Sequence, residues 1–183
     1  MEKIPTVFER DWDNDPGRVL DQVVPGCEWV LAGEGVPTKK YDGICVMYDG
    51  DKWWARRQVK EGKEAPPGFR PIAHDHKTLE EIGWQPIGDS PFAKFHAEAL
   101  VGRPVLEGGT YELVGPKINK NPEGAAVHTL IRHENAETLG LVDRSFEGIK
   151  TFLSGIDIEG IVFRHEDGRR MAKIKKRDFG MRR

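Results

Sequence analysis

The chain has 183 residues, with 28 Lys plus Arg against 30 Asp plus Glu and a formal charge of −2. That length fits one domain with a core of its own, and the near-neutral balance excludes a bulk polyanion binder, so any nucleic acid has to be held by a local cationic patch. Two cysteines exclude a disulfide scaffold, no segment is long and apolar enough to span a bilayer, and the opening Met1-Glu2-Lys3-Ile4-Pro5 lacks the basic-then-apolar layout of a signal peptide; a soluble cytoplasmic protein with reduced thiols is expected.

Along the chain, Pro16 to Val24 reads as a short helix capped by Asp15, with Pro16 at its first position. Glu28 to Leu31 and Thr38 to Lys40 read as strands joined by a Gly-rich loop, and Ile44 to Tyr48 and Lys52 to Val59 flank an Asp49-Gly50 hairpin signal. Residues 60 to 90, rich in Pro, Gly and His, suggest a long surface excursion with a helical turn at Thr78 to Ile82. Ser90 to Leu100 has the cap and spacing of a helix. Tyr111 to Gly115 and Ala126 to Arg132 read as strands, and Phe146 to Leu153 as an amphipathic helix. Gly160 to Arg164 and Arg170 to Lys175 form a hairpin around His165-Glu166-Asp167-Gly168. Strands joined mainly by turns predict a largely antiparallel α+β fold.

Lys40-Tyr41-Asp42-Gly43 places an amine at a strand end, followed by an acid and a glycine. Alone it reads as an ordinary hairpin turn; as chemistry, it offers a nucleophile and a backbone a ligand can approach closely. Such an amine must be unprotonated to attack phosphorus, and a free lysine near pKa 10.4 is almost wholly charged at neutral pH. Neighbouring cations or a metal would lower that value. Lys39, next in sequence, points to the other face of the strand.

The closing hairpin supplies those cations. Side chains two apart on a strand share a face, so Lys173 and Lys175 point the same way while Ile174 faces the core. Glu159 precedes the partner strand at the hairpin's open end. Two ammonium groups and a carboxylate on one surface suit a triphosphate with a divalent cation; a solvated Lys face paired with Glu159 is the plain alternative. Glu112, in a strand, offers a carboxylate to ribose hydroxyls or is a strand-edge charge. Of Arg56 and Arg57, alternation lets only one face a site. The histidines, including the His74-Asp75-His76 run, His128 and His133, match no zinc spacing and read as surface or packing residues, with His128 a minor candidate for touching a base. Trp53, Trp54, Trp84, Phe92 and Phe95 read as core. Arg10 is open between an RNA phosphate and a surface salt bridge. Arg169, Arg170, Lys173, Lys175, Lys176, Arg177, Arg182 and Arg183 make a C-terminal cationic run interleaved with Met171, Ile174 and Phe179.

Four motifs in order, Lys40 to Gly43, Thr110 to Gly115, Glu159 to Phe163 and Lys173 to Lys175, resemble those of the covalent nucleotidyltransferases. The whole chain is similar to the small stand-alone ATP-dependent RNA ligase family, most specifically in the runs Gly109 to Gly124 and Met171 to Gly180. The resemblance implies a nucleotidyltransferase core of two antiparallel β-sheets flanked by helices, with the nucleotide between them. It implies that residues 1–183 form a single adenylation domain without an OB-fold domain. It assigns Lys40 as the adenylated nucleophile and Arg56 to the nucleotide or incoming phosphate. Glu112 would hold the ribose, Glu159 would support Mg²⁺ (or Mn²⁺), and Lys173 and Lys175 would grip the phosphates. Lys39 stands where many relatives carry Glu, which bears on the choice of ATP. The implied reaction seals RNA 5′-phosphate and 3′-hydroxyl ends through lysine–AMP and AMP–RNA intermediates, with no membrane and no obligate protein partner. The alternatives on the same core are a DNA nick ligase or a guanylyltransferase; outside catalysis, a nucleic-acid-end binder.

Overall fold

A computed structural model describes residues 3–102 and 107–183; Met1 and Glu2, which open the expected leaderless start, lie outside the described residues. The elements in order are β1 (Phe8–Asp11), β2 (Asp15–Val23), α1 (Glu28–Leu31), β3 (Val36–Lys40), β4 (Ile44–Tyr48), β5 (Trp53–Lys60), β6 (Arg70–Asp75), β7 (Glu80–Pro86), α2 (Ala93–Leu100), β8 (Gly109–Val114), β9 (Thr129–Arg132), α3 (Phe146–Ser154), β10 (Gly160–Arg164) and β11 (Met171–Lys175). The pairing between these strands is antiparallel, so the fold is mixed α+β as expected. Among the described residues no helix is long and apolar enough to cross a membrane.

The chain divides into two compact units. One comprises Ile4–Tyr41 and Ala136–Arg183. It carries a three-stranded sheet in the order β11-β10-β3 and the β1-β2 ribbon. Its core gathers Val7, Phe8, Trp29, Val30, Ile149, Leu153, Ile161, Phe163 and Ile174, each no more than 5 % exposed. Phe146 belongs to an aromatic group with Phe8 and Phe179, at ring distances of 5.0 and 5.1 Å. Helix α3 starts where it does because Ser145 Oγ accepts the Gly148 amide, an N-cap that satisfies one of the helix's orphan donors.

The other unit comprises Asp42–Asn135 with Lys3. It is built on a six-stranded sheet, β6-β7-β5-β4-β8-β9. Val46, Ala99, Tyr111, Leu113, Ile118 and Leu130 form a core cluster there, with Phe92 and Phe95 packed against it. Trp54 and Trp84 are buried, in keeping with the core reading.

Four local expectations are corrected. Residues 16–23 are strand, not helix: Asp15 Oδ1 accepts the Gly17 amide instead of capping a helix, and pairing with β1 places Val19 opposite Arg10 and Val23 opposite Phe8. Pro16 is tolerated because β2 is an edge strand, paired with β1 in a two-stranded sheet. Glu28–Leu31 is one turn of helix that buries Trp29 and Val30. The 60–90 excursion is two strands, β6 and β7. Strand β7 is recruited by seven register pairs to β5, and Asp75 Oδ1 closes the β6-β7 turn by accepting the Lys77 and Thr78 amides. The strand expected over Ala126 to Arg132 begins only at Thr129.

Candidate functional site

In the first unit the site is set by strand register. Strand β10 lies between β3 and β11, so Gly160 pairs with Lys40 on one side and Lys175 on the other. Only glycine fits there: a Cβ would collide with the Ile174 carbonyl oxygen and lie 2.8 Å from Lys175 Cα. Glu159, one residue earlier, therefore stands between the two lysines. Its Oε2 is 2.5 Å from Lys40 Nζ and its Oε1 is 2.6 Å from Lys175 Nζ. The three side chains are 17, 21 and 15 % exposed in the order Glu159, Lys40, Lys175, so none is freely solvated.

The electrostatics follow. Burial pushes the Glu159 carboxyl up, but the charges of Lys40 and then Lys175 outweigh it and hold it below its ordinary value. Burial and then the Lys40 charge lower Lys175, against the opposing pull of Glu159. Lys173 lies two residues up β11, opposite Val162, and its backbone is bonded to Pro5 O and the Val7 amide. Lys39 Nζ stands 4.8 Å over the Tyr41 ring.

A support for Lys175 was not legible as such. Asp178, 1 % exposed, accepts the Lys175 amide on Oδ2 and the Arg10 guanidinium on Oδ1, both at 2.9 Å. Arg10 is thus in a salt bridge. The Lys-x-x-Asp spacing of a turn cap was the available signal. The C-terminal cations disperse: Lys176 is buried, Arg170 bonds Asp167 at 2.6 Å, and Arg183 reaches Asp157 at 3.4 Å.

In the second unit Glu112, 7 % exposed, is held from two sides. Its Oε1 accepts the Gly43 amide at 3.0 Å, and its Oε2 is 2.9 Å from His133 Nε2. His133 Nδ1 is 2.9 Å from Thr110 Oγ1. His133, read from sequence as a surface or packing residue, is therefore the partner of Glu112. Cys45 pairs with Glu112 and Val46 with Ala55, so the register puts Arg56 next across the strands from Cys45. Glu112 and Arg56 thus share one sheet face two strands apart, roughly 10 Å. The Arg56 guanidinium lies 5.3 Å from the Trp84 ring, and burial lowers its pKa, while Arg57 is exposed as alternation predicts. His128 stacks on Phe95 at 4.8 Å and pairs with Glu98 at 2.7 Å.

No protein-family model matches the chain, and no curated protein matches it. Among the described residues no three His, Cys, Asp or Glu side chains cluster as a metal site. A metal at Glu159 would have one protein carboxylate and take its remaining oxygens from phosphate and water, the mode Mg²⁺ adopts in nucleotide sites. A cation there would have to displace the ammonium groups that hold both Glu159 oxygens.

Proposed function

We propose that the chain is an ATP- and Mg²⁺-dependent RNA ligase built on a nucleotidyltransferase core, joining RNA 5′-phosphate and 3′-hydroxyl ends in the cytoplasm. The observation that carries this reading is the single Glu159 carboxylate shared by Lys40 and Lys175. An isolated lysine on a strand end needs no such company. A lysine that must attack phosphorus gains from a second cation beside it, which favours the free amine, while the Glu159 carboxylate favours the ammonium until the substrate complex draws it away.

In the reaction Lys40 Nζ, having lost its proton, attacks the α-phosphorus of ATP. An N–P bond forms, the α–β phosphoanhydride breaks, and pyrophosphate leaves. Lys175 and Lys173 neutralise the departing phosphates, and Glu159 is the candidate metal ligand. A bound divalent cation would offset charge on the phosphate oxygens. Glu112 is assigned to the ribose hydroxyls and Arg56 to the nucleotide or the incoming phosphate. The RNA 5′-phosphate then takes AMP from Lys40, and the 3′-hydroxyl displaces AMP to close the strand.

Incubation with α-labelled ATP and Mg²⁺ followed by denaturing electrophoresis tests this. Wild type should retain label and Lys40→Ala should retain none. Absence of label on wild type with either Mg²⁺ or Mn²⁺ sinks the catalytic reading. A GTP arm tests the consequence of Lys39, and sealing of RNA against nicked DNA fixes the substrate.

A further inference from the structure

Asn119, Lys120 and Asn121 pass through three successive left-handed conformations, with φ of 47°, 66° and 59°. Each costs on the order of 1 kcal/mol or more for a residue with a Cβ, and such residues normally occur singly. A run of three persists only where its surroundings hold it. Ile118, 1 % exposed, anchors the entry. Asn121 ties the exit, its side chain donating to Ala125 O at 3.1 Å and accepting the Ala125 amide at 2.9 Å.

This strained loop grips two residues of the Lys40-to-Gly43 motif. Asn119 Nδ2 donates to Asp42 Oδ1 at 2.8 Å and to Gly43 O at 3.3 Å. Glu123 Oε1 accepts the Asp42 amide at 3.0 Å. On its other side, Gly43 donates its amide to Glu112 Oε1. A Cβ on Gly43 would meet the Leu113 carbonyl oxygen and lie 2.8 Å from Glu112 Cγ, so the glycine is closely fitted against that carboxylate's stem. A carboxylate accepts about four hydrogen bonds. Gly43 takes one on Oε1 and His133 one on Oε2, which fixes the directions of the others.

We propose that Asn119 is a positioning residue: acting through Gly43, it fixes the orientation in which Glu112 presents its remaining lone pairs to ribose hydroxyls. This rests on the assignment of Glu112 under the proposed function. The loop's strain is explained by its product, a glycine whose carbonyl is held by Asn119 and whose amide is held by Glu112. Asn is suited to it, tolerating the left-handed region while supplying an amide donor.

Two variants of the full chain test it. Asn119→Gly deletes the amide but suits a positive φ, so Tm should stay within about 3 °C of wild type or rise. The readout is lysine–AMP formation with ATP against 2′-deoxy-ATP. Wild type should favour ATP by about tenfold or more, the worth of a hydrogen bond to a charged group, and in Asn119→Gly the ratio should fall toward one. Exchanging the pair, Asn119→Asp with Asp42→Asn, restores the contact with residue 42 in reverse but leaves Gly43 O without its donor, so the ratio should stay low there. An unchanged ratio in Asn119→Gly overturns the proposal, as does a Tm loss beyond that margin, or a ratio that returns in the exchange, which would make the contact with Asp42 and not Gly43 the route. If wild type takes no label from ATP, the assignment beneath it has failed instead, and the positioning role falls with it.

Discussion

Replacing Glu159 by Gln deletes the one negative charge shared by Lys40 and Lys175 while keeping the shape of the side chain. At an effective dielectric near 20, each ion pair is worth about 4 kcal/mol at 4 Å, much of it offset by desolvation. In Glu159→Gln the attraction goes, but two poorly solvated ammonium groups remain and repel. Removing one partner of a buried pair costs about 3–5 kcal/mol; with 15–21 % exposure remaining on these side chains, about 3 kcal/mol is expected. For a chain of this size that lowers Tm by roughly 6–12 °C. The pH dependence has a definite sign. The folded Glu159 value lies below its ordinary 4.5, so the unfolded chain binds more protons between the two values and stability rises with pH there. The contribution is complete above about pH 4.5 and is lost as pH falls through the folded value. Thermal melts of both proteins from pH 3 to 8 should therefore show a gap that closes only at the acid end. Adding Lys175→Met to Glu159→Gln removes the repulsion and should recover half or more of the loss. A single variant melting within about 1 °C of wild type, or no recovery in the double variant, would show that water screens these charges and would refute the reasoning.

Gly160→Ala drives a methyl group into the Ile174 carbonyl between the two lysine-bearing strands; it should cost about 1–3 kcal/mol and reduce AMP labelling, measured by melting and gel. His96, 3 % exposed beside Trp53 and with no partner for Nε2, is pushed by burial down to about 4 from 6.5. The unfolded chain then binds the extra proton, so about 3 kcal/mol is lost as pH falls from 6.5 to 4, and His96→Leu should remove that slope from a pH series of urea melts.

The hairpin of β10 and β11 was legible because two periodicities coincide: alternation puts Lys173 and Lys175 opposite Ala172 and Ile174, and His165-Glu166-Asp167-Gly168 closes the turn. The placing of Glu159 at its open end followed from the same count. Strand β2 was illegible because Asp15-Pro16 carries the local signature of a helix start, and the competing partner, β1, is recognised only by its pairing. Strands β6 and β7 failed for the same reason, the polar and Pro-containing residues of β7 becoming strand beside β5 and those of β6 beside β7. His133 could not be assigned to Glu112 without the β8-β9 register that brings Glu112 opposite Ile131. Nor does an Asn-Lys-Asn tripeptide disclose three positive φ angles.

Side-chain alternation belongs to the covalent chain, so the sequence alone determined which lysines share a face, where the acid precedes its strand, and where the Asp49-Gly50 and His165-to-Gly168 turns fall. That β3 joins β10, bringing Lys40 onto a carboxylate 119 residues away, was decided by tertiary structure. Strand β3 is held to β10 by backbone pairing from Val36–Arg164 to Lys40–Gly160 and by Thr38 Oγ1 donating to Val162 O, and no local pattern encodes which distant strand will supply those partners.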